Sequence, residues 1–153
     1  MEDCIFCRIV RGEAPAYKIW ENDKFVAFLS IFPNTKGFTV VATKEHYPSY
    51  VLELPDEVLK DFMLAVREVA FLLDRSFSDV GRTGVMMEGF GVDHAHVKLF
   101  PMHGTKTDEW KAHHSDVDKY FDIYEGYLSS HNGARADDED LAKLAEKIRS
   151  FNK

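Results

Sequence analysis

The sequence predicts an α+β fold, with a mainly antiparallel five-stranded sheet, one long helix and a C-terminal helical extension. Short segments rich in β-branched and aromatic residues occur on both sides of one long segment with helical periodicity. Turn-forming residues interrupt the short segments at residues 21–24 and 89–91. Strands, then one helix, then further strands of the same sheet are typical of an α+β domain.

The first three strands are predicted at residues 17–20, 25–30 and 37–44. The first two are joined by a turn-rich link. The third segment is dense in β-branched residues, which pack well on a pleated surface. We expect these segments to supply one part of the sheet and the strands after the helix to supply the rest.

The helix is predicted over residues 55–77. Its apolar residues recur at helical spacing and define one face: Val58, Phe62, Ala65, Val66, Val69, Leu72 and Leu73. Pro55 suits the start of a helix, and the acidic Asp56 and Glu57 complement the positive end of the helix dipole. A fourth strand follows and starts at Val85.

The fifth strand, residues 94–100, carries the pattern that narrows the function most. His94, His96 and Lys98 alternate with apolar residues, so their side chains share one face of the strand at intervals of about 6.5–7 Å. This spacing allows neighbouring side chains to converge on one phosphate group. An imidazole can attack as a free base at neutral pH, while a lysine supplies positive charge. The alternative is a surface strand with polar residues on its solvated face.

This pattern resembles the signature of the histidine triad (HIT) superfamily, His-x-His-x-His with apolar residues at x and after the last histidine. The corresponding segment here is His94-Ala95-His96-Val97-Lys98-Leu99-Phe100, with lysine in the third position. The resemblance covers residues 4–103 and includes residues 4–16, 25–33, 37–44 and His46. It implies the α+β fold described above and a homodimer in which two protomers extend the sheet.

The resemblance implies a nucleotide hydrolase in which His96, the middle histidine, is the nucleophile, with His94 and Lys98 in the other triad positions. His96 would attack the α-phosphorus of a small nucleotide conjugate, such as a dinucleoside polyphosphate or a nucleoside phosphoramidate. Water would then release a nucleoside monophosphate from the nucleotidyl-histidine. Adenosine is the expected base. Two alternatives stay open: a nucleotidyl transferase or phosphorylase, and a nucleotide-binding sensor with weak turnover.

Lysine in the third triad position changes the expected chemistry. Lys98 can bind phosphate as a cation with three donors. An ordinary ammonium, with a pKa of about 10.4, is however a reluctant proton donor. We therefore expect substrates whose leaving group is good by itself and poor handling of alkylamine leaving groups. In the alternative interpretation, Lys98 only extends its ammonium group to solvent.

The resemblance also implies a base and ribose site at residues 28–31. Phe28 and Ile31 would be apolar walls for the base, and Ser30 would contact the ribose hydroxyls where relatives have aspartate or asparagine. The alternative for Phe28 and Ile31 is a place in the core. Because a serine is shorter than these acidic or amide residues, the selection of the ribose is expected to be looser.

A second nucleotide-binding segment is expected just before the fifth strand. Met87 is apolar where relatives often have an amide, and it would border the same site. The backbone around Gly89 and Gly91 would donate N–H groups to phosphate, since glycine lets the main chain approach closely. The alternative is that these glycines only form a tight turn.

The two cysteines of the chain, Cys4 and Cys7, have the C-x-x-C spacing of a redox couple or half of a metal site. Zinc needs four nitrogen or sulfur ligands, so two histidines would have to complete the site. The resemblance implies that these are His46 and His94, in a closed structural zinc site. Two buried thiols without a metal and a redox pair are the alternatives.

Composition limits the partners of the chain. With 153 residues, 45% of them hydrophobic, the chain is long enough for one domain with a real core. The net charge is −7 and no basic stripe is present, which excludes a nucleic-acid polymer as the expected partner. No apolar run approaches the roughly 20 residues of a membrane span, and no secretion signal is visible. We therefore expect a cytoplasmic protein, and the resemblance implies that its partner is a small nucleotide.

The predicted domain comprises residues 1–103, and residues 104–153 form a C-terminal extension. Residues 137–151 have the pattern of an amphipathic helix whose charges match its dipole. The segment before it is too aromatic for a disordered tail, with Trp110, Tyr120, Phe121, Tyr124 and Tyr127. We expect the extension to pack on the domain or on a dimer mate, or alternatively to form a lid over the active site.

Overall fold

The computed structural model describes residues 4–109, 122 and 132–152. A short 3-10 helix, Val51–Glu53, precedes the long helix. The other elements in chain order are α1 (Ile5–Val10), β1 (Lys18–Glu21), β2 (Phe25–Leu29), β3 (Thr39–Thr43), α2 (Asp56–Ser76), β4 (Thr83–Met86), β5 (His96–Pro101) and α3 (Asp138–Arg149). The predicted α+β class is confirmed, with five strands and one long helix, α2.

The five strands form one sheet in the order β1-β2-β3-β5-β4, and every neighbouring pair is antiparallel. The last strand in sequence, β5, is therefore inserted between β3 and β4. It begins at His96, two residues later than predicted. The N–H groups of His94 and Ala95 bond to the carbonyls of Val92 and Tyr47, so these two residues donate no N–H to a neighbouring strand.

One face of the sheet holds the larger core. Phe25 of β2 stacks on Phe62 of α2 with ring centroids 4.9 Å apart. Val97 and Leu99 of β5 pack into the same cluster, together with Leu141, Ala145 and Ile148 of α3. Burial of this continuous apolar surface by α2 and α3 is the main force holding the helices on the sheet.

The opposite face of the sheet holds a second, smaller cluster that is partly covered by α1. Its buried members are Phe6, Ile9, Val26, Phe28, Phe38, Val40 and Ala42. Among the described residues, α1 is the one helix that contributes to this cluster. This face therefore has room for polar side chains from the centre of the sheet.

The helix α3 is bound firmly to the rest of the described chain. Asp137 caps it by accepting hydrogen bonds from the backbone N–H groups of Glu139 and Asp140. Ile148 is fully buried in the larger core. The five aromatic residues predicted to pack or to form a lid lie outside the described residues, and the domain boundary at residue 103 stays a prediction. In the part of the chain that the structure describes, no helix is long and apolar enough to cross a membrane.

Truncation of Ile148 to alanine should destabilise the whole fold, because it leaves a cavity between α3 and the sheet. We expect a loss of about 2–5 kcal/mol in the free energy of unfolding, measured by urea denaturation. Glu146→Ala, on the exposed side of the same helix, is the control and should change this free energy by less than about 0.5 kcal/mol. Equal effects of the two substitutions would show that α3 is not part of the cooperative core.

Candidate active site and metal centre

The centre of β5 presents two triad side chains on the sheet face that α1 partly covers. His96 and Lys98 pair across the sheet with Ala42 and Val40 of β3, which both belong to the smaller cluster. Val97 between them and Leu99 after Lys98 belong to the larger cluster on the opposite face. The alternation predicted for this strand is therefore present from His96 onward, and the side chain of His96 is buried.

The ring of His96 is held in one tautomer. Its Nδ1–H donates a hydrogen bond of 2.7 Å to the backbone carbonyl of His94. Because Nδ1 carries the proton in this bond, Nε2 keeps its lone pair. Burial lowers the pKa of His96, and the Lys98 ammonium lowers it further, against the opposing effects of the His94 carbonyl and Glu88. The ring is therefore a neutral base at pH 7.

Lys98 does not extend freely to solvent, because its ammonium group forms an ion pair with the carboxylate of Glu88. The two side chains are only 15% and 9% exposed, respectively. The Nζ of Lys98 also donates to the carbonyl oxygen of Phe90 at 3.5 Å. Both contacts come from the loop between β4 and β5, so this loop determines the position of Lys98.

Two glycines of the same loop have backbone angles that favour glycine. Gly89 has a φ of 74°, and a Cβ at this position would lie 2.9 Å from the carbonyl oxygen of Ser49. Gly91 has a φ of 104°, and no heavy atom lies within 4 Å of its Cβ position. Gly89 therefore packs the loop against the protein, whereas the backbone at Gly91 borders open space.

The structure brings only some of the predicted nucleotide-binding residues close to His96. Phe28 contacts Phe6 edge to face, with ring centroids 5.4 Å apart, and Phe6 in turn contacts His96 at 5.3 Å. Ile31 and Met87 pack instead against the larger cluster, on the helix side of the sheet. The hydroxyl oxygen of Ser30, at the end of β2, accepts the N–H of Phe32 at 3.2 Å.

The four predicted metal ligands lie together between α1 and the sheet. The ligand atoms of Cys4, Cys7, His46 and His94 are all within 4.8 Å of one another. The Nδ1 of His94 is 3.5 Å from each sulfur, and the Nδ1 of His46 is 3.3 Å from the sulfur of Cys7. Ligands at the corners of a zinc tetrahedron are about 3.6 Å apart for a nitrogen and a sulfur, which agrees with these distances.

The orientation of His94 also fits a metal ligand. Its Nε2–H donates to the backbone carbonyl of Thr43 at 2.7 Å, and the Thr43 hydroxyl lies 3.1 Å from the same nitrogen. The lone pair of Nδ1 is therefore directed at the two sulfurs. Metal-bound histidines typically donate their second ring N–H in this way. Burial, followed by contact with Cys4, raises the pKa of the Cys7 thiol.

Sequence reasoning missed three residues of this site. Phe6 contacts both histidine rings and the ring of Phe28. Thr43 orients His94, and Glu88 neutralises Lys98. Of these, only the need for a carboxylate near Lys98 could have been inferred, since a lysine on a buried strand face requires one, but no local pattern identifies Glu88 as that residue. The position of Thr43 at the end of a predicted strand gave no comparable signal.

Comparison with known proteins agrees with this geometry. The sequence model of the HIT domain family matches residues 11–105 of the chain. "Protein hit" of Bacillus subtilis is 35% identical over 123 residues, which cover 75% of this chain and 83% of that protein. Adenosine 5'-monophosphoramidase HNT1 of Saccharomyces cerevisiae is 29% identical over 134 residues, which cover 86% of this chain and 84% of the relative.

A solved structure extends the comparison to three dimensions. A zinc-bound histidine triad family protein from Mycobacterium smegmatis has a TM-score of 0.71 and 22% sequence identity, and the match covers 98% of this chain and 93% of that chain. This likeness shows a shared fold. The family model matches more than half of the residues and the Bacillus subtilis relative is 35% identical, so the chain belongs to the histidine triad (HIT) family.

Proposed function

We propose that this protein is a nucleotide hydrolase that cleaves at the α-phosphate through a nucleotidyl-His96 intermediate. The observation that carries the proposal is the hydrogen bond from Nδ1 of His96 to the His94 carbonyl, which leaves Nε2 as an oriented free base. The relationship to adenosine 5'-monophosphoramidases of yeasts, at 29% and 30% identity, supports the same class of reaction.

In the proposed first step, Nε2 of His96 attacks the α-phosphorus and a phosphorus–nitrogen bond forms. The bond from phosphorus to the leaving group breaks, and the leaving group departs with the electron pair. In the second step a water molecule attacks the same phosphorus, gives up a proton, and releases a nucleoside monophosphate and free His96. Division into two displacements replaces one difficult step by two easier ones.

We assign to Lys98 and Gly91 the positioning of the phosphate and the stabilisation of its negative charge. The ammonium group of Lys98, held by the loop of Glu88 and Phe90, is directed to the face of the sheet on which His96 lies. It would stabilise negative charge on the phosphoryl oxygens. The open backbone at Gly91 can approach a phosphate closely.

The base and ribose are proposed to lie beside Phe28 and Ser30. Phe28 supplies an apolar ring in contact with Phe6, which in turn contacts His96, and Ser30 follows Phe28 at the end of β2. Ile31 and Met87 pack on the helix side of the sheet, so the proposal does not rest on them. Adenosine stays the expected base because two of the relatives are named as adenosine 5'-monophosphoramidases.

We further infer that Cys4, Cys7, His46 and His94 hold a structural zinc ion. The nitrogen–sulfur distances and the orientation of His94 fit the ion, and a related fold from Mycobacterium smegmatis is zinc-bound. When bound, zinc would keep the sulfurs as thiolates and tie α1 to the sheet. Four protein ligands leave no open position for a substrate.

The homodimer implied by the family stays a prediction. Apolar side chains are exposed on α2, where Leu64 and Phe71 are 49% and 53% exposed, and at Val85 of the edge strand β4. These side chains are available for contact with a second copy. The proposed substrate is a small nucleotide, and the net charge of −7 argues against a nucleic-acid polymer.

Replacement of His96 by alanine should abolish hydrolysis. The parent protein is expected to produce AMP from diadenosine polyphosphates and adenosine phosphoramidate, and the variant should be at least about 10³-fold slower. His103→Ala, which removes an imidazole bound to Asp79 and the Lys36 carbonyl, is the control and should retain activity. Product is measured by chromatography and adducts by intact mass.

An AMP adduct that persists until phosphate is added would indicate a transferase, and AMP binding without either product or adduct would indicate a sensor.

Restoration of the third histidine should broaden the range of leaving groups. We expect Lys98→His to increase the rate for phosphoramidates with alkylamine leaving groups by at least about tenfold relative to diadenosine polyphosphates, because imidazole is the better proton donor. The ratio of the two kcat/KM values is the measurement. An unchanged ratio, in a variant that folds like the parent, contradicts the role given to Lys98.

Removal of one sulfur ligand should release the metal and loosen α1. The parent is expected to contain one zinc ion per chain by elemental analysis, and Cys7→Ser should contain much less and unfold at a lower temperature. Addition of a strong chelator should lower the Tm of the parent toward that of Cys7→Ser, while Cys7→Ser itself should not respond. A parent protein that contains no zinc after purification and zinc addition would refute the metal site.

A further inference from the structure

The carboxylate of Glu88 lies at a position where a phosphate-binding site would not be expected to carry negative charge. It contacts the ammonium group of Lys98, two residues along β5 from His96 and on the same face of the sheet. The net charge of this pair is zero. An anion that reaches Lys98 therefore also experiences the field of a carboxylate.

The carboxylate cannot easily move away from an incoming phosphate. The side chain of Glu88 is 9% exposed, and the next residue, Gly89, is packed against the backbone of Ser49. Charges that are buried in this way are screened much less by water and salt than surface charges are. The repulsion between Glu88 and a nearby anion is therefore a built-in property of the site.

The donors of Lys98 also limit what it can neutralise. An ammonium group has three N–H donors. Within the described residues, its hydrogen bonds are one to Glu88 and one to the Phe90 carbonyl, which leaves one donor for a ligand. Lys98 can therefore offer a ligand a single N–H donor, and its positive charge is already paired with a carboxylate. Such a group is better suited to a phosphoryl group with a single negative charge than to a doubly charged phosphoryl group.

The substrate and the product of the proposed reaction differ in the negative charge on the α-phosphate. The α-phosphate of a dinucleoside polyphosphate or a phosphoramidate is substituted on both sides and carries one negative charge. The product, a monophosphate, carries a charge of about −1.5 to −2 at pH 7, because its second pKa is about 6. A fixed carboxylate near this phosphate penalises the product more than the substrate.

We propose that Glu88 is a specificity-determining residue that makes the site prefer singly charged α-phosphates and promotes release of the doubly charged monophosphate product. This inference rests on the proposed function of the same site. It assigns to Glu88 an effect on the ligand, in addition to holding Lys98 in place.

The test compares two ligands that differ by one charge at the α-phosphate, AMP and its methyl ester, at pH 8. Neither has a good leaving group, so calorimetry measures binding without turnover. The parent should bind the methyl ester more tightly than AMP. Glu88→Gln should shift the ratio of the two dissociation constants toward AMP by about tenfold, the size expected for loss of one nearby charge. It should also lower the Ki for AMP.

Two control variants separate this effect from structural damage. Glu88→Asp keeps the charge and should keep the ligand preference of the parent. Glu57→Gln removes the same charge from the exposed surface of α2, where the side chain is 83% exposed, and should change neither dissociation constant. Thermal unfolding of each variant monitors the fold.

The outcomes distinguish the inference from the proposed function. If Glu88→Gln changes the binding of both ligands by the same factor, Glu88 only positions Lys98 and the inference is overturned. The same conclusion follows if the parent shows no preference for the methyl ester. If AMP, its methyl ester and adenosine all fail to bind the parent, the proposed function itself is wrong.

Discussion

The geometry of the site depends on one residue, His94, which is held from both sides. Its Nε2–H bonds to the Thr43 carbonyl, and this bond turns Nδ1 toward Cys4 and Cys7. Its own carbonyl accepts the Nδ1–H of His96. Rotation of the His94 peptide would therefore disturb the cysteine–histidine cluster and the tautomer of His96 together. Because His94 is fully buried, any unpaired ring nitrogen would also be costly.

The sheet supplies the rigidity that this arrangement requires. Insertion of β5 between β3 and β4 gives its backbone hydrogen-bond partners on both sides, and Val97 and Leu99 of this strand are buried in the same core as residues of α2 and α3. The triad face is thus on a central strand and not on a loop. The loop at residues 88–91 reaches the site through the contacts of Glu88 and Phe90 with Lys98, and the loop of His46 reaches it through the cluster with Cys4, Cys7 and His94.

Most of the fold and part of the site follow from local sequence patterns. Period-2 alternation and helical spacing predict the strands and α2 to within a few residues, and spacing identifies Cys4 and Cys7 as a pair. Such patterns do not predict the contact between Lys98 and Glu88, because this ion pair joins a strand to a loop whose path is set by Gly89. They also do not reveal that Ile31 packs on the helix side, since alternation ends where β2 ends.

The ion pair also explains how a HIT site can accommodate lysine in the third triad position. A neutral imidazole adds no net charge to the site, whereas a lone ammonium would add one positive charge and would have to be desolvated without compensation. Lys98 paired with Glu88 again adds no net charge. The electrostatic balance around His96 is therefore close to that of a histidine triad, while the proton-donating group is different. In the proposed reaction, the lysine would therefore alter which leaving groups can depart but would leave the attack by His96 unchanged.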